Sequence, residues 1–128
     1  MCFLVSSHGF EPLESLTQLR DLDLFEQVIE DDSVSILRNH TNLTALSFKD
    51  ASAITSKGIE CLSQMVQLGQ LSLAGTAVDS IASLTGLQSL REFSVDETKL
   101  TDEGISHITK LTSLHYLTLG KCKKRELK

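Results

Sequence analysis

The side chains that could carry out chemistry in this 128-residue chain are four histidines, three cysteines and several runs of adjacent acids. The sequence contains neither the glycine-rich loops that cradle phosphates nor the spacings typical of hydrolase nucleophiles and zinc ligands. His40 falls on an apolar position of the repeating pattern described below, where we expect a half-buried, hydrogen-bonded ring. His8, His107 and His115 have no second ligand at a useful spacing, and His107 is expected on the exposed side of a helix. The histidines therefore predict no catalytic or metal site.

The cysteines and acids lead to the same prediction. Cys2, Cys61 and Cys122 are far apart and odd in number, which is typical of neither a disulfide framework nor a metal site. Cys61 has no basic neighbour in sequence that would activate it as a nucleophile. The acids lie in predicted loops before helices, where a carboxylate interacts favourably with the helix start; they are Glu30-Asp31-Asp32, Asp96-Glu97 and Asp102-Glu103. We therefore predict a protein that is not an enzyme and holds no cofactor or metal, with catalysis as the less favoured alternative.

Charge is divided unevenly along the chain. Residues 121–128, with the sequence KCKKRELK, hold five of the 12 lysines and arginines and one of the 17 acids. Their net charge is +4, and residues 1–120 keep seven basic residues against 16 acids, a net charge of −9. An acidic body is unsuited to tracking phosphates. We therefore predict a domain over residues 1–120 and a basic C-terminal tail over residues 121–128, with no nucleic-acid or membrane partner.

Location and the role of the tail follow from short stretches of sequence. No apolar run is long enough to cross a bilayer, and the opening MCFLVSS lacks the basic region of a signal peptide. A cytoplasmic or nuclear location is expected. The tail is expected to be a solvated terminus, with a nuclear-import signal or an anionic contact as the alternatives.

One apolar motif organises the rest of the chain. Residues 54–73 align without a gap on residues 100–119, and the shared skeleton recurs five times at steps of 24, 25, 22 and 24 residues. Such self-similarity indicates a stacked array of repeats. The five copies are Leu19-x-x-Leu22-x-Leu24, Leu43-x-x-Leu46-x-Phe48, Leu68-x-x-Leu71-x-Leu73, Leu90-x-x-Phe93-x-Val95 and Leu114-x-x-Leu117-x-Leu119.

Each repeat contains two periodicities. Apolar residues first recur at every third position, as in Ile59, Leu62 and Met65, which predicts a short helix or tight helical turn with one face inward. The pattern then changes to alternation, which predicts a half-buried strand. Gly58 and Gly104 occupy equivalent places, where we expect close approach of backbone to backbone. Residues suited to capping helix starts precede the helical stretches; they are Thr55 and Ser56, Asp79 and Ser80, and Thr101 and Asp102.

Five in-phase copies make the chain resemble leucine-rich repeat proteins. The stretches LTDEGISHITKL and ITSKGIECLSQM resemble the short-helix repeats of F-box-associated and GALA-like proteins. The resemblance implies an α/β leucine-rich repeat solenoid, a horseshoe arc with a concave parallel β-sheet and short convex helices. The family has asparagine or cysteine after each strand, where this chain has Gln27, Ala51, Thr76, Thr98 and Cys122. The side-chain ladder that those residues build is therefore expected to be incomplete.

The predicted function is non-catalytic protein binding on the concave face. Five parallel strands about 4.8 Å apart would form a strip roughly 20 Å wide. Phe25 and Tyr116 are the expected anchors, because interfaces favour aromatic side chains. By resemblance, the partner-binding role could be substrate recognition in an SCF-type ubiquitin ligase receptor, although no F-box occurs in this sequence. The alternative is a structural scaffold or repeat fragment with no site of its own. The predicted binding residues are Asp23, Phe25, Glu26, Ser47, Lys49, Ser72, Glu92, Ser94, Asp96, Tyr116 and Thr118.

The two ends of the array give one more expectation. Phe3-Leu4-Val5 aligns on Leu71-Ser72-Leu73, so the first of about five repeats is truncated. Terminal repeats expose the face that a neighbour would cover, and unpaired strand edges invite pairing with another chain. With Phe3 and Val5 at one end, and Leu117 and Leu119 at the other, we expect end-to-end self-association.

Overall fold

The apolar residues that recur at every third position lie in short helical segments, mostly 3₁₀, and in the turns that follow them in the computed structural model, which describes residues 12–25 and 29–120. A 3₁₀ helix has three residues per turn, so side chains three apart lie on the same face. Each inward residue also donates its N–H to the carbonyl of the inward residue before it. Met65 bonds to Leu62 at 3.0 Å and Leu68 to Met65 at 3.0 Å, and the same pair of bonds occurs in all five repeats. The three-residue period therefore satisfies packing and hydrogen bonding together.

The convex elements are accordingly short. The first described element is a 3₁₀ turn at residues 12–15. Two single-turn α-helices follow later, α1 (Asp31–Val34) and α2 (Asp102–Ile105). The shortest convex stretch lies in the 22-residue step, as expected. The other 3₁₀ helices are Ser35–Asn39, Gly58–Gln64, Ala82–Leu84 and Ser106–Lys110.

The strands form one parallel sheet in sequence order. They are β1 (Asp21–Asp23), β2 (Ala45–Ser47), β3 (Gln70–Ser72), β4 (Glu92–Ser94) and β5 (Tyr116–Thr118). The register places the motif residues Leu22, Leu46, Leu71, Phe93 and Leu117 side by side. Bonds between repeats continue beyond the strands, because Phe48 N–H donates to Ser72 O at 2.9 Å and Leu73 N–H to Ser94 O at 2.8 Å. The predicted solenoid with a parallel sheet and short convex helices is confirmed.

The hydrophobic core runs along the whole described array. In the inner repeats Leu46, Leu71 and Phe93 are no more than 3% exposed. At the last strand the equivalent Leu117 is 38% exposed and Leu119 is 41% exposed. A repeat therefore buries its apolar face only where a neighbour covers it. The residues that align on Leu71-Ser72-Leu73, Phe3–Val5, and the tail 121–128 lie outside the described residues.

The turn after each strand links neighbouring repeats through the backbone. Asp50 N–H donates to Ala74 O at 2.8 Å, and Gly75 N–H donates to Asp96 O at 2.9 Å. Asp50, Gly75 and Glu97 hold equivalent positions with φ of 63°, 76° and 59°. The left-handed conformation is thus a property of the repeat, even where the residue is not glycine.

The residues in the expected ladder positions bond locally. The buried hydroxyls of Thr76 and Thr98 donate to Leu73 O at 2.7 Å and Val95 O at 2.8 Å. Each threonine thus satisfies a carbonyl in its own turn, while Ala51 has no side-chain donor to offer. Gln27 and Cys122 lie outside the described residues.

The loops that lead into the convex elements hold neighbouring repeats together with side chains. Asp31 accepts bonds from Thr55 N–H at 2.8 Å and from the Thr55 hydroxyl at 2.5 Å. One repeat further on, the Ser56 hydroxyl donates to the Asp79 carboxylate at 2.6 Å and accepts the Asp79 N–H at 2.9 Å. Asp31 and Asp79 therefore have a structural role between repeats.

Only part of the expected capping occurs as predicted. Thr101 caps α2, since its hydroxyl accepts the N–H of Gly104 at 2.9 Å. The hydroxyls of Thr55 and Ser80 accept nearby amides, from Lys57 and Ala82 at 3.2 Å each. Thr55 and Ser56 also use their hydroxyls for contacts to the adjacent repeat. Capping predicted from one repeat alone misses these contacts, because the partner lies about 24 residues away in sequence.

Gly104 occupies a place where no side chain fits. A Cβ there would clash with the carbonyl oxygen of Asp79 and lie 3.0 Å from Ser80 Cα, both backbone atoms of the preceding repeat. At Gly58 a Cβ would clash with the Asp31 carboxylate and lie 3.1 Å from Asp31 Cα. The predicted close approach is confirmed at both glycines, and it sets how tightly adjacent repeats stack.

The glycine contact gives a prediction about stability. Gly104→Ala should lower the free energy of unfolding by about 2 kcal/mol, because the backbone of the previous repeat must move to admit the methyl group. The matched control is Gly86→Ala, where a Cβ meets nothing within 4 Å. That change should be neutral or stabilising by about 0.5 kcal/mol. Urea unfolding followed by circular dichroism measures both, and similar losses for the two variants would contradict the stacking contact.

Candidate concave binding face

The concave face consists of two rows of side chains that cross all five strands. Because alternate residues of a strand share a face, the first and third residues of each strand project from the sheet and the middle residue enters the core. The register pairs the first residues of neighbouring strands with one another, and likewise the third residues. We call Asp21, Ala45, Gln70, Glu92 and Tyr116 the first row. We call Asp23, Ser47, Ser72, Ser94 and Thr118 the hydroxyl row, after the hydroxyl groups that four of its five side chains carry.

Ten of the eleven predicted binding residues lie on or beside these rows. The hydroxyl row contains Asp23, Ser47, Ser72, Ser94 and Thr118, and the first row contains Glu92 and Tyr116. Phe25, Lys49 and Asp96 lie two residues beyond the last residue of β1, β2 and β4, and Lys49 and Asp96 line a separate depression with Gly120. Glu26 lies outside the described residues. Seven of the predicted residues thus line the concave face and three lie beside it, and the binding role of the whole set stays a prediction.

The two rows line a shallow depression of about 330 Å³. Its middle is formed by the small or uncharged residues of β2 and β3, and its carboxylates are those of Asp21, Asp23 and Glu92. Asp21 and Gln70 belong to this lining, although they were not among the predicted binding residues. The alternation of the strands predicts both of them on the concave strip, because Asp21 lies two positions before Asp23 and Gln70 lies two positions before Ser72.

Hydrogen bonds orient the hydroxyl row. Ser47 Oγ accepts the N–H of Lys49 at 3.2 Å, Ser72 Oγ accepts the N–H of Ala74 at 3.4 Å, and Asp23 accepts the N–H of Phe25 at 3.1 Å. Each of these side chains thus satisfies the backbone at the end of its own strand. A serine hydroxyl that accepts a bond still has its own hydrogen to donate. Ser47 and Ser72 can therefore donate to a molecule that lies across the sheet.

The two expected anchors lie at opposite edges of the face. Tyr116 on β5 is 70% exposed, and Phe25 after β1 is 44% exposed. Four strand spacings, about 19 Å, separate them. The Nζ of Lys49 lies 5.5 Å from the centroid of the Phe25 ring, a cation–π contact. A partner that touches both aromatic rings must therefore cross the whole sheet.

The histidines are held in structural settings. His40 is fully buried, where half burial was predicted, because it takes the core position that Met65 and Leu87 occupy in other repeats. The predicted hydrogen bond is confirmed: Nε2 lies 2.8 Å from Leu13 O, so Nε2 carries the hydrogen, and Nδ1 has no partner among the described residues. His107, expected on the exposed side of a helix, is half-buried in its short 3₁₀ helix.

The remaining histidines and the cysteines add no reactive group to the described region. The exposed His115 bonds through Nδ1 to Ser113 O at 2.9 Å. Burial raises the pKa of the Cys61 thiol to about 11, with partial opposition from the charge of Arg38. The thiol contacts the carbonyl oxygen of Val34 at 3.3 Å. Cys61 is therefore protonated at neutral pH and a poor nucleophile. His8, Cys2 and Cys122 lie outside the described residues.

Within residues 12–25 and 29–120, no helix is long and apolar enough to cross a membrane. The same part of the chain contains no group of three histidine, cysteine or acidic side chains placed to hold a metal ion.

Comparison with known proteins identifies the architecture. No family model and no curated protein matches the sequence. Among solved structures, internalin C2 of Listeria monocytogenes matches with a TM-score of 0.70 and 27% identity, over 89% of this chain and 46% of that one. A second internalin of the same organism matches with a TM-score of 0.61 and 27% identity, over 85% of this chain and 37% of that one. The chain thus spans less than half the length of these internalins.

A third solved structure is similar to this chain in fold alone. The C-terminal domain of tropomodulin from Caenorhabditis elegans matches with a TM-score of 0.66 at 14% identity, over 91% of this chain and 83% of that one. The five motifs, the parallel register and these structural neighbours agree with one another. The chain is a leucine-rich repeat protein.

Proposed function

We propose that the chain is a non-catalytic interaction module that binds a partner protein on its concave face. The observation that carries the proposal is the pair of continuous rows, because they present ordered side chains over five strands around a depression of about 330 Å³. Tyr116 adds an aromatic side chain that is 70% exposed, the type of residue that dominates binding energy in interfaces. The carboxylates of the lining favour a protein over a nucleic acid, since phosphates would be repelled.

The finer role rests on sequence alone. Substrate recognition in an SCF-type ubiquitin ligase receptor is supported by the stretches that resemble F-box-associated repeats. A cytoplasmic or nuclear location belongs to the same proposal and is consistent with the free thiol of Cys61. The scaffold alternative differs in a testable way, because a scaffold would keep its interactions when the concave rows are changed.

Photo-crosslinking followed by affinity measurement tests the proposal. A photoreactive amino acid at Ser72, in the middle of the face, should crosslink a partner that mass spectrometry identifies, whereas the same group at the exposed convex Gln64 should not. Affinity for the purified partner should then fall about fivefold or more in Tyr116→Ala and in Phe25→Ala, as for aromatic anchors elsewhere. Gln64→Ala is the neutral control. Equal losses in all three folded variants would place the interaction elsewhere.

Self-association through the last repeat is a second candidate, favoured by the exposure of Leu117 and Leu119. The occupant would be a second copy of the chain, paired at the β5 edge. Sedimentation should show association of the isolated chain at micromolar concentration, and Leu117→Lys should abolish it. Val66→Lys is the matched control, because Val66 is 53% exposed on another surface. A stable monomer at these concentrations would eliminate this candidate.

A further inference from the structure

The carboxylates of the concave depression lie at two separate places. Asp21 and Asp23 lie on β1, and Glu92 lies three strands away on β4. Between them, β2 and β3 contribute only small or uncharged side chains: Ala45, Ser47, Gln70 and Ser72. Among the described residues, the lining contains no lysine, arginine or histidine. The depression is therefore acidic at both ends and neutral in the middle.

The second acidic place includes an aromatic ring. Glu92 and Tyr116 are direct neighbours in the register of β4 and β5, and Tyr116 is 70% exposed. A carboxylate beside an open aromatic face is suited to a lysine or arginine side chain, which both groups attract. The face already contains one such contact, between Lys49 and Phe25 at its other edge. Arg20 and Arg91 precede β1 and β4 and lie outside the lining.

We propose that this depression binds an extended segment of the partner protein that carries two basic residues four positions apart. The inference rests on the proposed function and names the class of partner. One basic side chain meets Asp21 and Asp23, and the other lies between Glu92 and Tyr116. The segment crosses the strands, so that its ends reach the two acidic places.

Geometry sets the spacing. Three strand spacings of about 4.8 Å place the two acidic ends about 14 Å apart, and an extended chain advances about 3.3 Å per residue, which corresponds to four residues. An even separation matters as well, because alternate side chains of an extended segment share one face. Basic residues three or five positions apart would point to opposite sides, and only one of them could reach the sheet.

The middle of the depression fits the backbone of such a segment. Small side chains on β2 and β3 let it approach the sheet closely. Ser47 and Ser72 accept N–H groups of their own strands, which fixes the positions of their oxygens. Their hydroxyl hydrogens can then donate to carbonyl groups of the bound segment. The neutral middle thus supplies hydrogen bonds, and the acidic ends determine the register.

Fluorescence anisotropy of the full chain with labelled nine-residue peptides tests the proposal. The probe has arginines at its third and seventh positions, and serine and glycine elsewhere. The control peptide has the same composition with arginines at the third and sixth positions. The probe should bind at least threefold more tightly than the control, and its affinity should fall severalfold as salt rises from about 50 to 200 mM, since exposed charges are screened. Equal affinities for the two peptides would overturn the spacing and the proposal with it.

Variants of the chain provide the matched comparison. Asp23→Asn, Glu92→Gln and Tyr116→Leu should each weaken probe binding about threefold or more, as expected for exposed charge pairs and cation–π contacts. Glu60→Gln and Glu103→Gln remove the same charge from exposed convex positions and should leave the affinity unchanged. If the convex variants lost as much affinity for the probe as the concave variants, net charge alone would explain the binding. That result would overturn the proposal.

Two further outcomes separate the possible occupants and the two proposals. If the probe peptide binds only after Lys123, Lys124 and Arg125 are replaced by glutamine, the face would be assigned to the basic C-terminal tail of the chain itself. That result would overturn the assignment to a partner. A partner crosslinked at Ser72 whose contact segment lacks the paired basic residues would leave the proposed function standing and overturn this inference. Probe binding without any crosslinked partner would instead count against the proposed function.

Discussion

Each repeat of this protein can satisfy its backbone and bury its apolar face only against the next repeat. A strand of three residues and a continuous helical segment of three to nine are too short to be stable alone. The neighbour supplies what is missing: carbonyl groups for the N–H donors beyond the strands, the Asp31 and Asp79 contacts between loops, and the apolar surface that covers Leu46 and Leu71. Where the described array ends, Leu117 and Leu119 are partly exposed.

The same constraint produces the candidate site. A single register aligns Leu22, Leu46, Leu71, Phe93 and Leu117 inside the core, and it necessarily aligns the residues on either side of them outside. Packing of the core fixes where the concave side chains lie, but it does not determine which residue types they are. The face can therefore carry serines in the middle, carboxylates on β1 and β4, and an open Tyr116 without any loss of stacking.

The sequence predicted the parts of the structure that repeat. Five copies of one apolar skeleton were enough to obtain the parallel sheet, the face to which Asp23, Ser47 and Ser72 belong, and the close contacts at Gly58 and Gly104. It was less informative about side-chain interactions between neighbouring repeats. The bonds from Thr55 to Asp31, the contact of Lys49 with Phe25 and the complete burial of His40 all depend on a neighbour about 24 residues away. The 3₁₀ helices were ambiguous because a three-residue apolar period fits either kind of helical turn.

Amide hydrogen exchange measured by NMR tests the dependence of each repeat on its neighbours most directly. Leu73 N–H bonds to Ser94 in the next repeat, whereas Leu68 N–H bonds to Met65 within its own. If a repeat has no stability of its own, the amides of Leu68 and Leu73 should exchange with the same free energy of opening, equal to that of global unfolding. If Leu68 stayed protected after Leu73 had exchanged, the repeat would persist without its neighbour, and the account of a shared core would be wrong.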